Sequence, residues 1–441
     1  MAVDDIMVPK PFDLVPHWYM YPPKTSYSAQ ISLALIEREI LKLSGKPVSI
    51  YVHIPFCDMK CNFCSLFTSS GHSDSAVSAY VSTLGLEIEN FSRRFDGTLP
   101  APSVLYFGGG TPALLPEDDV AYLLECLRRA FDFTFLHSRS VEFSPDVVAK
   151  NTASRWARHG FNRASLGVQS FNDAALKSMG RHHSGRDARN AVNVLADAGY
   201  ADINVDLIFG YLGQTAISWD EDLRAVVDSP AMHCTFHPLA TREKTVLERK
   251  AISGTPPSEM LVTRHAEAIA HFDAAGWTQT SAISFSRSSV PNPLERAEAT
   301  GQPTIGFGAG SRSYYTAVHT SSVPYAQRVP FGSLLKLYEK AVRQRNLPVA
   351  NAVLVDQLEA ARRLVILEMH HGSVRADTLS ALNALTLDNS AMEIMERMLA
   401  SDWFDKTPDG YRLTSSGSVH AAEIGLAFAS GQIQRSLASI G

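Results

Sequence analysis

Tyr51-Val-His53-Ile-Pro55-Phe56-Cys57-Asp-Met-Lys-Cys61-Asn-Phe63-Cys64 sets the terms for the whole chain. Its apolar opening reads as a strand, and the three cysteines after it are separated by three residues and then by two. A loop of that kind can aim three thiolates at one point. Iron–sulfur clusters are held by such thiolates, normally four. No fourth cysteine lies nearby, so a cubane here would keep one iron open, and an open metal position is where chemistry happens. A structural zinc knuckle or three unrelated core thiols are the competing readings. Zinc would want a fourth Cys or His at matched spacing; His53 is a candidate by composition but falls within the strand. Cys126 lies in a helical pattern and Cys234 in an apolar run, and both read as small buried residues. A distant fourth-ligand role for Cys234 stays open.

Working outward, residues 48–53, 104–107, 140–143, 163–168, 203–209 and 234–239 form short β-rich runs, with helical patterns of ten or more residues between most of them. Such alternation gives parallel βαβ units. Six of them predict an α/β fold, a partial (βα)6 barrel open on one side, in which reactive groups collect at the C-terminal ends of strands. The polar and glycine residues fall there: the cysteine loop, Gly108-Gly-Gly-Thr-Pro112, Glu142, Gln169 and Asp206. Residues 1–46 read as an N-terminal extension rich in Pro and Tyr, 47–330 as the barrel, and 331–441 as a helical domain. The last holds two short apolar runs around Asp409-Gly410, a hairpin signal, which makes it winged-helix-like. Residues 279–285 read as one strand, 286–302 as a loop, and Gly306-Phe-Gly-Ala-Gly310 as a turn.

With 441 residues, 45% hydrophobic and 19% charged, the chain has an ordinary globular composition and room for two or three domains. A formal net charge of -5 gives no reason to expect nucleic acid. No apolar run is long enough to cross a bilayer. Five cysteines, three of them crowded together, make no disulfide framework and suit a reducing cytoplasm. The N-terminal residues show no signal-peptide pattern. A soluble, cytoplasmic protein is the expectation.

These motifs, with Ser165-Leu-Gly-Val-Gln-Ser-Phe171, Gly180-Arg-His182 and Asn204-Val-Asp-Leu-Ile-Phe-Gly210, resemble the radical S-adenosylmethionine (SAM) superfamily. The likeness is to the branch around anaerobic coproporphyrinogen III dehydrogenase, which also holds class C radical SAM methyltransferases and cyclopropanases and a haem chaperone. It covers about 47–239 strongly and the C-terminal part loosely. The resemblance implies a [4Fe-4S] cluster on Cys57, Cys61 and Cys64, SAM chelating the open iron, and one-electron cleavage to a 5′-deoxyadenosyl radical. An electron donor such as flavodoxin or ferredoxin and a small-molecule substrate are implied with it. Residue by residue, Tyr51, Gly109 and Glu142 would hold the cluster-bound SAM. Gly110, Thr111, Gln169, Arg181, Asp206 and Ala240 would hold a second SAM, and Phe63 would pack near cluster and adenine. Arg312 falls where the dehydrogenase has an apolar contact to the second SAM.

Three departures bear on membership of the branch. Ser65-Leu-Phe67 stands where the dehydrogenases have Gly-Cys. His17-Trp-Tyr-Met-Tyr-Pro-Pro-Lys24 offers no arginine where they have one. Gly210-Tyr-Leu-Gly-Gln214 replaces Gly-Leu-Pro-Gly-Gln. These point to a class C enzyme that methylates or cyclopropanates an sp2 carbon of a hydrophobic or heteroaromatic natural product, with His182, His183 or His237 as acid or base. Oxidative decarboxylation of coproporphyrinogen III is the alternative, and a haem chaperone the third reading.

Overall fold

The computed structural model of the protein describes residues 21–438, apart from 29–30, 97–98, 212, 240–244, 247–257, 325–328 and 387–389. Six parallel strands come first: β1 (Pro47–Ile54), β2 (Ala101–Gly109), β3 (Ser138–Phe143), β4 (Arg163–Gln169), β5 (Asp202–Phe209) and β6 (His233–Pro238). They pair in that order, each parallel to the next. Between them run α1 (Leu33–Leu41, ahead of β1), α2 (Asp74–Arg94), α3 (Glu117–Ala130), α4 (Lys150–Arg158), α5 (Asp173–Ser178), α6 (Gly185–Asp197) and α7 (Ala216–Val227). Local chemistry sets the starts. The Ser73 hydroxyl accepts from the Ala76 N–H to cap α2, and Ser184 with Asp187 forms a capping box on α6.

Period-two alternation sorts the strand side chains. Val48, Ile50, Val52 and Ile54 of β1, Leu105 and Phe107 of β2, Val141 and Phe143 of β3, and Val205, Leu207 and Phe209 of β5 pack in one core with the helices. The residues between them, Tyr51, Tyr106, Glu142 and Asp206, face the other way, into the barrel.

Beyond β6 the chain adds α8 (Ser258–Ala274), β7 (Thr278–Ser281), β8 (Ser284–Ser286), α9 (Pro293–Ala299), β9 (Thr304–Phe307), β10 (Arg312–Tyr314), β11 (Val318–Ser321), α10 (Phe331–Arg343) and β12 (Asn351–Leu354). The sheet order is β12-β11-β10-β9-β1-β2-β3-β4-β5-β6-β8-β7. Three expectations change here. The run 279–285 is two antiparallel strands with a turn between them. Within 286–302 the structure forms α9, with the Asn292 side chain accepting from the Glu295 N–H and Pro293 in the first turn. The glycine stretch begins in β9, which runs parallel to β1 and adds a seventh parallel strand.

α10 packs on the barrel core through Leu334, Tyr338 and Val342. A second core gathers α11 (Gln357–His370), α12 (Ala376–Thr386), α13 (Ser390–Ala400) and α15 (Ala421–Phe428) with a small sheet of β13 (Ser373–Arg375), β14 (Phe404–Thr407) and β15 (Gly410–Leu413). α14 (Ser415–Val419) leads from that sheet to α15, and α16 (Gly431–Ala438) ends the described chain. β14 and β15 pair as the hairpin read around Asp409-Gly410. Among the described residues no helix is long and apolar enough to cross a membrane.

Candidate active site

At the C-terminal end of β1 the chain turns into the cysteine loop, where Phe56 and Cys57 bridge in parallel to Ser69 and Ser70. Cys57, Cys61 and Cys64 are part-exposed, whereas Cys126 and Cys234 are buried. Burial pushes the Cys57 thiol up to about 12, and the Cys61 thiol is raised for the same reason. The three thiols act on one another electrostatically. Among the described residues no group of three His, Cys, Asp or Glu is already gathered as for a bound metal ion. His53 is otherwise engaged: its ring bonds to the Tyr51 hydroxyl and the Phe67 carbonyl, each at 3.0 Å, and burial lowers it to about 4. Cys234 lies on β6, fully buried in the hydrophobic core.

The glycines of β2 come next to this loop for steric reasons. A side chain on Gly110 would stand 2.3 Å from the Phe56 carbonyl and 2.9 Å from the Cys57 sulfur. Gly109 has φ +116°, a conformation that favours glycine, and its N–H donates to Glu142 at 2.8 Å. Thr111 continues the seam by donating its N–H to the Phe56 carbonyl at 2.7 Å.

Glu142 accepts a second bond from the Tyr106 hydroxyl at 2.9 Å, and burial raises its carboxyl to about 7. Tyr106 stacks on Tyr51 with ring centroids 6.0 Å apart. Asp206 accepts from Asn204 at 2.7 Å and from Ser165 at 3.2 Å, and burial raises it to about 6. Gln169 takes φ +71°, at a register break between β4 and β5. The partners of Glu142 and Asp206, namely Tyr106, Ser165 and Asn204, are functional candidates that the sequence reading does not single out. Asn204, two strand positions before Asp206, carried a sequence signal; Ser165 meets Asp206 only across the sheet, which spacing along one strand does not reveal.

Arg181 bridges the two halves of the site. Its guanidinium donates to the Cys61 sulfur at 3.2 Å, the Ser144 hydroxyl at 2.8 Å and the Gly167 carbonyl at 2.7 Å. Phe63 packs with Ala175, Met179, Ile208 and Tyr211.

The candidate acid–base histidines are dispersed. His182 is exposed, His183 is buried with Nε2 3.1 Å from the Val168 carbonyl and Nδ1 3.6 Å from Asp146, and His237 stands on β6 beside Ile208. Ala240 lies outside the described residues. Tyr51, Gly109, Gly110, Thr111, Glu142, Gln169, Arg181 and Asp206 are thus brought to one rim of the barrel. That rim offers close backbone approach, two carboxyls and one cation beside three thiols. It has the donors and acceptors to take a zwitterionic amino-acid end and a ribose next to a cluster.

Residues 51–226 match the radical SAM superfamily. The chain is 30% identical over 202 residues to the heme chaperone HemW of Haemophilus influenzae, covering 45% of this chain and 53% of that one. To an oxygen-independent coproporphyrinogen III oxidase of Cereibacter sphaeroides it is 30% identical over 215 residues, covering 48% and 46%. This chain spans about half the length of both relatives. An oxygen-independent coproporphyrinogen III oxidase of Bradyrhizobium diazoefficiens aligns over 328 residues at 28% identity, covering 70% and 71%. Among solved structures, coproporphyrinogen III oxidase (HemN) from Escherichia coli superposes with a TM-score of 0.80 at 21% identity, over 92% of this chain and 96% of that one. The α/β radical SAM fold is therefore the fold of this chain.

One expectation is corrected by these relatives. They are named for heme chaperoning or for oxygen-independent coproporphyrinogen III oxidation, and not for methylation or cyclopropanation. The departure at Ser65-Leu-Phe67 does not outweigh them, for it lies in a loop, where sequence varies most freely. A [4Fe-4S] cluster and SAM are the cofactors of this fold family, and the rim described above suits both. Residues 51–226, which hold the cysteine loop and most of this rim, are the part of the chain that matches the radical SAM superfamily.

Proposed function

We propose that the protein is an oxygen-independent coproporphyrinogen III oxidase that works by oxidative decarboxylation. The observation that carries this reading is the alignment with the Bradyrhizobium oxidase, which is far longer than the 51–226 domain and takes in 70% of the chain. When bound, cluster and SAM supply a 5′-deoxyadenosyl radical that takes a hydrogen atom from the substrate.

The chain's own residues do the rest. Cys57, Cys61 and Cys64 would hold the cluster, and SAM would lie beside it with its amino-acid end toward the cluster. Gly109 and Gly110 let backbone come close to that amino-acid end, and Glu142 accepts from its ammonium. Tyr51 and Tyr106 wall the same pocket. Gly110, Thr111, Gln169 and Asp206 have the chemistry to hold a second SAM. Arg181 holds the Cys61 sulfur while keeping its place through Ser144 and Gly167. The propionate side chain, having lost a hydrogen atom from its β carbon, breaks its bond to the carboxyl; the carboxyl leaves as carbon dioxide, the side chain becomes a vinyl group, and the remaining electron passes to an external one-electron acceptor.

The test is anaerobic turnover of the reconstituted protein with coproporphyrinogen III, SAM and a reductant, followed by mass spectrometry of the tetrapyrrole. SAM-dependent decarboxylated product is expected. Its absence, together with stoichiometric haem binding, would move the reading to a haem chaperone, which the Haemophilus relative favours.

A further inference from the structure

On the far side of β1 from the carboxyls, β10 and β11 carry a separate polar group. Tyr314 and His319 pair across the two strands, their rings edge to face at 5.0 Å. Arg312, two positions before Tyr314, projects on the same face of β10. From α11 the Arg363 guanidinium reaches over the Tyr314 ring, 5.3 Å from its centroid, and donates to the Tyr21 carbonyl at 3.2 Å. Tyr27 completes the group and is 9% exposed.

Two buried atoms here lack what their chemistry requires. Neither the Tyr27 hydroxyl nor the His319 Nδ1 has a hydrogen-bond partner among the described residues. A buried polar atom left unsatisfied is destabilising, so such atoms call for an explanation. Both can donate: a phenol always, and an imidazole nitrogen when it carries the proton. Both feel the positive charges of Arg312 and Arg363. Arg312 also acts on His53, which ties this group to the rim of the site.

Orphaned donors under two guanidinium charges ask for an anion with several acceptor oxygens. We infer that Tyr27, Arg312, His319 and Arg363 form a subsite for a carboxylate of the bound substrate. It rests on the proposed reading of the site in that it takes a tetrapyrrole propionate as that carboxylate. It also supplies, from β10 and α11, arginines of the kind that residues 17–24 do not offer. The reacting propionate belongs at the cluster rim; the subsite takes another, and so sets how the ring is presented.

The probe is coproporphyrin III, whose fluorescence reports binding, compared with its neutral tetra-amide on the reconstituted protein. The acid should bind at least tenfold more tightly than the amide. Arg312→Gln and Tyr27→Phe should narrow that ratio several-fold by weakening the acid alone, with the thermal midpoint of each variant confirming its fold. Tyr27→Phe removes only the hydroxyl, so it tests the subsite even where Arg363→Gln fails to fold. Equal binding of acid and amide by the unaltered protein overturns the inference, as does a ratio unmoved by both substitutions. So does a loss confined to SAM affinity, which would assign the carboxylate to a second SAM. Acid preference without carbon dioxide release would sink the decarboxylation reading and leave the subsite standing.

Discussion

Gln169 sits at φ +71°, a region that side chains other than glycine rarely adopt, and it does so where β4 loses register with β5. Strain of this kind persists where surrounding structure enforces it, and it gathers at functional sites. Gln169→Val adds a branched side chain to that conformation and should cost roughly 1–3 kcal/mol. Gln169→Gly should stay near the parent in urea unfolding. Equal stabilities for the two variants would contradict the enforced backbone. Glu142 makes a different point. Its identity was legible from its position at a strand end, but its raised carboxyl was not, because burial depends on Tyr106 and the neighbouring strands. Glu142→Gln removes an anionic acceptor and should weaken SAM binding by roughly ten- to a hundredfold, as for hydrogen bonds to charged groups. Equilibrium dialysis of the reconstituted protein would show it, and unchanged affinity would remove Glu142 from the SAM pocket.

Among the elements, the six parallel strands could be read from short apolar runs spaced by helical periodicity, because each strand buries one face under helices and repeats every two residues. β9 escaped that logic. Its glycines carry little hydrophobic signal, and its place is fixed by long-range partners: the Gly308 N–H donates to Glu87 on α2 at 2.8 Å, and the Tyr338 hydroxyl of α10 donates to the same carboxylate at 2.6 Å. Tyr80, also on α2, donates to the His53 carbonyl at 2.7 Å and accepts from the Ala309 N–H at 3.0 Å. α2 thereby clamps β9, α10 and the end of β1 that leads into the cysteine loop. Tyr338→Phe leaves Glu87 buried with one partner fewer and should lower stability by about 1–3 kcal/mol. Chemical denaturation checks it, and a change under ~0.5 kcal/mol would mean that the clamp contributes little. α9 was missed for a simpler reason. It is seven residues long and rich in charge, so its capping signal at Asn292-Pro293 outweighed a composition that reads as loop.

At the scale of the molecule, buried titratable groups set how stability follows pH. Burial raises Glu87 and Glu142 to about 7 and Glu298 to about 8. The native state therefore holds protons that the unfolded chain has released, and this stability is lost as pH rises through 7 to 8. Burial lowers His53, His265 and His370 to about 4 and His371 to about 3. The unfolded chain binds those protons first, so stability from this source is lost as pH falls from about 6.5 toward 4. Cofactor-free protein should be most stable near pH 6.5 and lose roughly 3 kcal/mol by pH 8. Denaturant unfolding across that range tests it, and stability rising toward pH 8 would contradict it. Fold and cluster loop were legible because both are written in local spacing. The reaction was not, because the residues that meet a substrate come from segments hundreds of positions apart, such as Tyr27, Arg312 and Arg363. The claim that binds these levels together is that the radical formed at this site decarboxylates a propionate without transferring carbon. Anaerobic turnover of carboxyl-labelled coproporphyrinogen III with methyl-deuterated SAM tests it most directly. Labelled carbon dioxide and 5′-deoxyadenosine should form together, with no deuterium in the tetrapyrrole; deuterium in the product alongside S-adenosylhomocysteine would contradict it.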